Sequence, residues 1–355
     1  MAIIAVVGSL NMDLVIRSPR QPRLGETLMG RSFGTTGGGK GSNQALACAR
    51  LGAESHMIGC IGDDDFGLKL RSTLMDGKVH CDHIEISNTA GTGVAVITVT
   101  DQGDNTIVLS MGANAFVDAS VIRRAADVFK QADAAMFQLE IPLTTVETGL
   151  DMARKSGCVT VLAPTPARAL SDSIWSLVDY VVMNETELAF YADLGSDSVP
   201  DMNLNDLESE SDAEFDIDTE FDTDTDSEIP FVYKPKTEEE ITLTARNFLS
   251  RGVRGVIVTR GSSGGIIVTN NECFAYAPFK VRSVDSTGAG DSFCAALTIG
   301  LCDGMTISRA SRFASAAGAL ACTRFGAHPS LPWRHEVEAL LERFPEDNAD
   351  HLTRR

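Results

Sequence analysis

The sequence contains no apolar run of the roughly 18–20 residues that a membrane-spanning helix requires. It also lacks any Cys-x-x-Cys pair. Its eight cysteines (48, 60, 81, 158, 273, 294, 302 and 322) sit mostly among apolar neighbours, as in Ile58-Gly59-Cys60-Ile61 and Ala319-Leu320-Ala321-Cys322. That setting argues against a disulfide framework or a zinc site, and for buried, reduced thiols in an intracellular, cytoplasmic protein. The first residues, Met1-Ala2-Ile3-Ile4-Ala5-Val6-Val7-Gly8, lack a basic stretch and a cleavage site, so they read as a first buried strand rather than a signal peptide. The ending Leu352-Thr353-Arg354-Arg355 is neither a peroxisomal tripeptide nor a lipidation box. Positive charge is scarce too: 30 Lys and Arg face 49 Asp and Glu, a net charge of −19. A whole-surface grip on nucleic acid or an anionic membrane is therefore not expected.

This deficit is local. Residues 193–230 hold fifteen acids and no Lys or Arg, so the remaining 317 residues carry only −4. The acidic stretch, 195–237 at its widest, has few large apolar residues and repeated Asp-Thr pairs. Such a segment cannot bury enough surface to offset its ordering entropy, and disorder is expected. Its alternating acids suggest a calcium loop, but starting at Asp216 the sixth and twelfth positions are Phe221 and Ser227 rather than Gly and Glu. It reads as a solvated insertion, with a basic partner as one use for it.

Elsewhere, short apolar runs alternate with helical patterns. Ile3–Val7, Ser55–Ile61, Ala134–Gln138, Val159–Ala163, Tyr180–Met183 and Gly255–Thr259 read as buried strands. Helices are expected near 41–51, 66–76, 143–156, 171–175, 185–192, 238–251, 289–303 and 307–324, and a hairpin over 265–277. The chain is thus expected to fold as one α/β domain, a three-layer α/β/α sandwich on a mostly parallel sheet. Residues 13–36 and 91–111 show strand alternation without helices between, and look like a small separate β-sheet hinged as a lid. His80 and His83 around Cys81 and Asp82 read as a polar loop before a strand rather than as a metal cluster.

Four Gly-rich or polar turns carry chemistry. Gly34 to Lys40 begins like a phosphate loop, but Gly41 stands where that motif needs Ser or Thr. What remains is a Gly-rich entry into an Ala-rich helix, with Lys40 and Asn43 as polar reach. In Asp285-Ser286-Thr287-Gly288-Ala289-Gly290-Asp291, the N–H groups of Gly288, Ala289 and Gly290 at a helix start suit an anion. Asp291 beside them suits proton removal from an attacking hydroxyl. Asn184-Glu185-Thr186-Glu187 and Thr259-Arg260-Gly261-Ser262-Ser263-Gly264 each follow a strand, where open α/β sheets place ligands. An anion site, a base and a metal-orienting carboxylate together are the parts of phosphoryl transfer.

Taken in order, Gly8-Ser9-Leu10-Asn11-Met12-Asp13, Gly38 to Ala45, Asn184 to Glu187 and Asp285 to Phe293 resemble the ribokinase-like (PfkB) family of carbohydrate kinases. Gly326-Ala327-His328-Pro329-Ser330-Leu331-Pro332-Trp333 is similar to the C-terminal signature of its ribose-phosphorylating members. The resemblance covers the chain except for about 195–237. It implies transfer of phosphoryl from ATP to O5 of D-ribose, with Asp291 as base and Gly288, Ala289 and Gly290 as anion hole. Asn11, Asp13, Gly39, Lys40, Asn43 and Glu140 would surround the sugar. Asn184, Thr259, Arg260, Gly261, Ser262, Ser263, Gly264 and Ser315 would line the nucleotide, and Glu187 would order Mg2+ through water. K+ would be held at Asp285, Thr287, Ala321, Arg324, Gly326 and Ser330, and the lid would pair a homodimer. Three positions depart from the pattern. Ala163-Pro164-Thr165-Pro166 replaces Asn-Pro-Ala-Pro, Ser315 stands where His is frequent, and Ser286 replaces Thr. Another sugar or nucleoside kinase of the family, or a non-catalytic sugar-binding regulator, remains as an alternative.

Overall fold

The protein is described from a computed structural model covering residues 1–102, 105–193 and 237–345. Its strands are β1 Ile3–Val7, β2 Asn11–Ser18, β3 Ser32–Gly38, β4 Glu54–Gly62, β5 Val79–Ser87, β6 Gly93–Thr100, β7 Asn105–Ser110, β8 Ala134–Phe137, β9 Val159–Leu162, β10 Tyr180–Asn184, β11 Gly255–Thr259, β12 Gly265–Thr269 and β13 Cys273–Tyr276. Nine form one sheet, in the order β13-β12-β11-β10-β9-β8-β1-β4-β5. All its pairs are parallel except those made by β12 and β13, so the crossovers place helices on both faces.

Alternation along the strands builds two cores. From β1, Ile4 and Val6 pack on one side with Met136, Val161, Ile257 and the Ala-rich helices Lys40–Arg50, Ala289–Cys302 and Ile307–Ala321. Ala5 and Val7 face the other side with Phe137, Leu162, Val181 and Trp175. Strands buried on both faces read as continuous apolar runs, which is why the sequence exposes them. The expected three-layer α/β/α sandwich is what the chain forms.

The remaining strands form a separate four-stranded sheet, β3-β2-β6-β7. Its strands come from the two stretches that alternate without helices. Val15, Ala95 and Ile97 make its small core. Its other face is open, with Phe33, Val96 and Val108 at 64%, 44% and 72% exposure.

Two expectations change. His80 and His83 do not lie in a loop, because they belong to β5, the edge strand beside β4. The register shifts between His56 and Ile58, so that Cys81 and Asp82 together oppose Met57. Such a bulge interrupts strict alternation and hides the strand from a period-2 reading. Short helices at Ala119–Arg124 and Ala126–Gln131, and the longer Arg334–Arg343, were not read from the sequence. The acidic segment lies outside the described residues up to 236. Thr237 caps the helix Glu238–Leu249 through a reciprocal box with Glu240. All eight cysteines are free, and five are buried. Among the described residues, no helix is long and apolar enough to cross a membrane.

Candidate active site

The loop after β1 and the start of β2 lie at the carboxyl edge of the main sheet, where open α/β sheets bind ligands. Asn11 and Asp13 open β2 and are 3% and 5% exposed. Asn11 is held by a residue the sequence reading passed over. Asn114 Nδ2 donates to Asn11 Oδ1 (2.7 Å) and to Leu10 O (3.1 Å), while Asn114 Oδ1 accepts from Leu10 N (2.9 Å). Asn114 lies 103 residues away in a 3-10 turn, and no local motif marks it. The small sheet leaves room for both side chains by using glycine. A Cβ on Gly93 would stand 2.3 Å from Asn11 Oδ1, and one on Gly38 would stand 2.3 Å from Asp13 Oδ2. At φ 90°, Gly39 adopts the left-handed backbone that brings the helix Lys40–Arg50 against this loop.

That helix delivers Asn43 and Gln44 to Asp291. Asn43 Nδ2 donates to Asp291 Oδ2 (2.8 Å) and Gln44 Nε2 to Asp291 Oδ1 (3.1 Å). Gln138 Nε2 fixes Gln44 by donating to its Oε1 (2.6 Å). Gly8 makes room for Gln138, since a Cβ there would overlap Gln138 Oε1 at 1.8 Å. Gln44 and Gln138 are therefore orienting residues. Gln44 lies in the Gly38–Ala45 motif, which gives it no role, and Gln138 is marked only by its place just after β8. Asn43 Oδ1 is buried and has no partner among the described residues. A buried acceptor of this kind needs a donor.

Asp291 opens the helix Ala289–Cys302, whose N-cap is Gly288 at φ 79°. Of the three expected anion donors, the Ala289 N–H already reaches Ser286 O (3.1 Å). A Cβ on Gly290 would meet nothing within 4 Å, so the first turn faces open space there. Unpaired first-turn N–H groups attract anions.

The charges around this point are uneven. Burial, and then the neighbouring charges of Glu140, Asp291 and Asp285, push Asp13 up to about 7, against the pull of Lys40. Burial opposes the Lys40 charge, but Asp291, Glu140 and Glu187 outweigh it and hold the ammonium above the ordinary lysine range. Glu140 accepts from Ser9 Oγ (2.5 Å) and from Lys40 N (3.3 Å). Lys40 thus sits among acids from the loop after β8, the Asp291 helix and the helix that follows β10.

The third and fourth motifs also come together. Asn184 and Thr259 are register partners at the carboxyl ends of β10 and β11. Asn184 N donates to Glu187 Oε2 (2.8 Å) and Glu187 N to Asn184 Oδ1 (2.9 Å), a capping box that fixes both side chains. Thr165 Oγ1 also donates to Glu187. Thr165 is thus a departure from the family pattern that touches the proposed metal-orienting carboxylate. Arg260 Nε reaches Glu185 Oε1 (3.0 Å), so its side chain turns to the helix start. Gly261 and Gly264, at φ 53° and 82°, bound the turn that holds Ser262 and Ser263. Ser315 is 8% exposed on the helix Ile307–Ala321, and no hydrogen bond of the described residues ties it to this cluster.

A further loop pair closes the site. Asp285 Oδ1 accepts from Thr287 N (3.0 Å) and Oγ1 (2.7 Å), and Asp285 Oδ2 from Gly326 N (2.8 Å). Ser330 Oγ donates to Thr287 O (3.2 Å) and Ala327 O (2.8 Å). Ser42 Oγ lies 3.0 Å from His328 Nε2, which joins this loop to the Asn43 helix. Arg324 is paired with Glu336 through both guanidinium nitrogens. Ala321 is buried in the same region. Between this loop and the small sheet lies a cleft of about 520 Å³, lined among others by Asp13, Thr36, Asp285, Thr287 and Gly326.

The sequence matches the description "pfkB family carbohydrate kinase" over residues 1–203 and 219–334. The chain belongs to this family. A ribokinase of Haemophilus influenzae is 32% identical over 339 residues, covering 96% of this chain and 98% of its own length. A ribokinase of Schizosaccharomyces pombe is 35% identical over 343 residues, covering 94% and 96%. Among solved structures, the Arabidopsis thaliana ribokinase complexed with ribose and ATP superimposes with a TM-score of 0.77 at 27% identity, covering 96% of this chain and 99% of that one. Membership accounts for the order in which the pfkB motifs occur along the chain.

Proposed function

We propose that this chain is an ATP-dependent ribokinase, transferring phosphoryl from ATP to O5 of D-ribose and releasing ADP. One observation carries the reading. The Asp291 carboxylate is fixed by Asn43 and Gln44 at a helix N-terminus that faces open space at Gly290. The likeness to ribokinases of 32% and 35% identity over nearly the whole chain supports it.

In this reading Asn11 and Asp13 bind sugar hydroxyls, and Asn43 Oδ1 accepts from another. Gly39, Lys40 and Glu140 close the cradle. Asp291 takes the proton from O5 as O5 attacks the γ-phosphorus, and ADP leaves on the far side. Gly288 and Gly290, with Ala289 once its bond to Ser286 opens, stabilise the phosphoryl oxygens. Asn184, Thr259 and the turn from Arg260 to Gly264 hold ATP, and Ser315 lines the nucleotide.

The residues fit both implied metal ions. Glu187 is buried, and its two oxygens are already hydrogen-bonded, which suits it to orienting hydrated Mg2+ rather than binding the ion directly. Asp285, Thr287, Ala321, Arg324, Gly326 and Ser330 offer carbonyl, hydroxyl and carboxylate oxygens, the hard donors that an alkali ion such as K+ accepts. Arg324 contributes its carbonyl, since a cationic guanidinium cannot ligate a cation. Bound Mg2+ neutralises phosphate charge and assists in-line transfer. The apolar open face of the small sheet would serve as the homodimer contact.

The test is ADP release from ATP with D-ribose, 2-deoxyribose and nucleosides, with and without K+. D-Ribose should give the highest kcat/KM. No turnover with D-ribose at millimolar concentration, in folded protein, would refute the assignment.

A further inference from the structure

At the end of the main sheet opposite the kinase centre, β4 and β5 place two imidazoles and a carboxylate together. Glu54 and His56 project from one face of β4, two residues apart. His80 of β5 is the register partner of His56. Their ligating atoms all lie within 4.8 Å of one another. His56 Nε2 stands 3.2 Å from Glu54 Oε1. The His56 and His80 rings stack with centroids 4.5 Å apart and planes 15° apart.

These distances match a known chemistry. Zinc bonds of about 2.0–2.1 Å to nitrogen or oxygen set ligand atoms roughly 3.3 Å apart at tetrahedral angles. The Glu54–His56 pair already has that spacing, and ligation requires the exposed His80 side chain to rotate its nitrogen in from within 4.8 Å. Local backbone supports the same grouping. The bulge at Cys81 and Asp82 makes His83 the partner of Ile58, so His83 returns to the face that carries His56 and His80. Cys81 is buried in the opposite core and takes no part. The short spacing of His80 and His83 in sequence is thus not the signal; pairing of His80 across to β4 is.

We propose that Glu54, His56 and His80 form a binding site for a borderline divalent ion of the Zn2+ class, pinning edge strand β5 to β4. Two imidazoles and one carboxylate leave a fourth tetrahedral position for water. Mg2+ and Ca2+, which take oxygen ligands, are excluded from it. The site is independent of the kinase reading, since none of its residues belongs to that machinery.

The probe is Co2+, whose tetrahedral complexes absorb far more strongly in the visible than octahedral ones. The full chain, titrated with Co2+ in saturating Mg2+, should show one tetrahedral site per chain, displaced stoichiometrically by Zn2+. His80→Asn, a change at an exposed residue, should weaken Co2+ binding at least tenfold, and Glu54→Gln similarly. Turnover and far-UV circular dichroism of both variants should match the parent protein. Zn2+ should raise the thermal midpoint of the parent and not of His80→Asn. Absence of the tetrahedral band, a thiolate-to-cobalt band in the near ultraviolet, or unchanged affinity in His80→Asn would each overturn the proposal.

Discussion

Replacing Asp13 by Asn should stabilise the ligand-free protein while removing its hold on sugar. Asp13 is 5% exposed, and burial together with Glu140, Asp291 and Asp285 raises it from 3.8 to about 7. The folded chain therefore holds a proton that the unfolded chain releases. Stability that depends on this proton is complete below pH 3.8 and is lost as pH rises through 7. That span corresponds to a cost on the order of 4 kcal/mol for the ionised form at pH 8, by the relation of 1.36 kcal/mol for each pH unit. Asn has the same shape and no charge, so it recovers most of this cost at pH 8 and none of it below pH 4. Relaxation and water entry reduce the figure, and a rise in thermal midpoint of roughly 5 °C is expected at pH 8. Midpoints of both proteins, followed by circular dichroism from pH 4.5 to 8.5, should diverge as pH rises. Ribose binding by calorimetry should weaken at least tenfold in the variant. Equal midpoints at pH 8, or a gap that does not change with pH, would refute the argument about buried charge.

Other expected outcomes follow from the same geometry. Asp291→Ala should lower kcat by about three orders of magnitude, as loss of a positioned general base does, while ribose affinity measured by calorimetry stays within a few-fold. Asn114→Ala frees the Asn11 amide and should raise the ribose KM roughly tenfold with a smaller effect on kcat, read from steady-state kinetics. Asp179 is 2% exposed and pairs with Arg154 (2.5 Å) and Arg254 (2.9 Å). Asp179→Ala should therefore cost about 3 kcal/mol in urea unfolding without changing KM. Removing residues 196–229 should leave kcat within two-fold if the acidic segment is only a tether. A tenfold loss would tie that segment to catalysis.

Much of this was legible before any coordinates. Strands buried on both faces announce themselves as apolar runs, and Gly-rich turns that follow them mark the carboxyl edge. The four motifs converge as their order implies: Asn43 reaches Asp291, and Asn184 pairs with Thr259. What the sequence hid depends on long-range contact. Asn114 and Gln138 orient Asn11 and Gln44 from positions 103 and 94 residues away, and neither stands in a motif. β5 was hidden by its bulge, and with it the meeting of His80 and His56. The Ala289 amide, expected free, is taken by Ser286, a turn bond that spacing alone does not reveal. The charge at Asp13 was equally hidden, because Asp285 and Asp291 approach it only through the fold.

The central claim is that Asp291 directs phosphoryl transfer to the sugar's primary hydroxyl. The most direct measurement is the product itself, identified by phosphorus–carbon coupling in NMR after incubation with ATP, Mg2+, K+ and 13C-labelled D-ribose. The account predicts phosphate on C5 alone, formed by the parent protein and lost in Asp291→Ala. Phosphate on another carbon, or C5 product formed at the parent rate by Asp291→Ala, would contradict it.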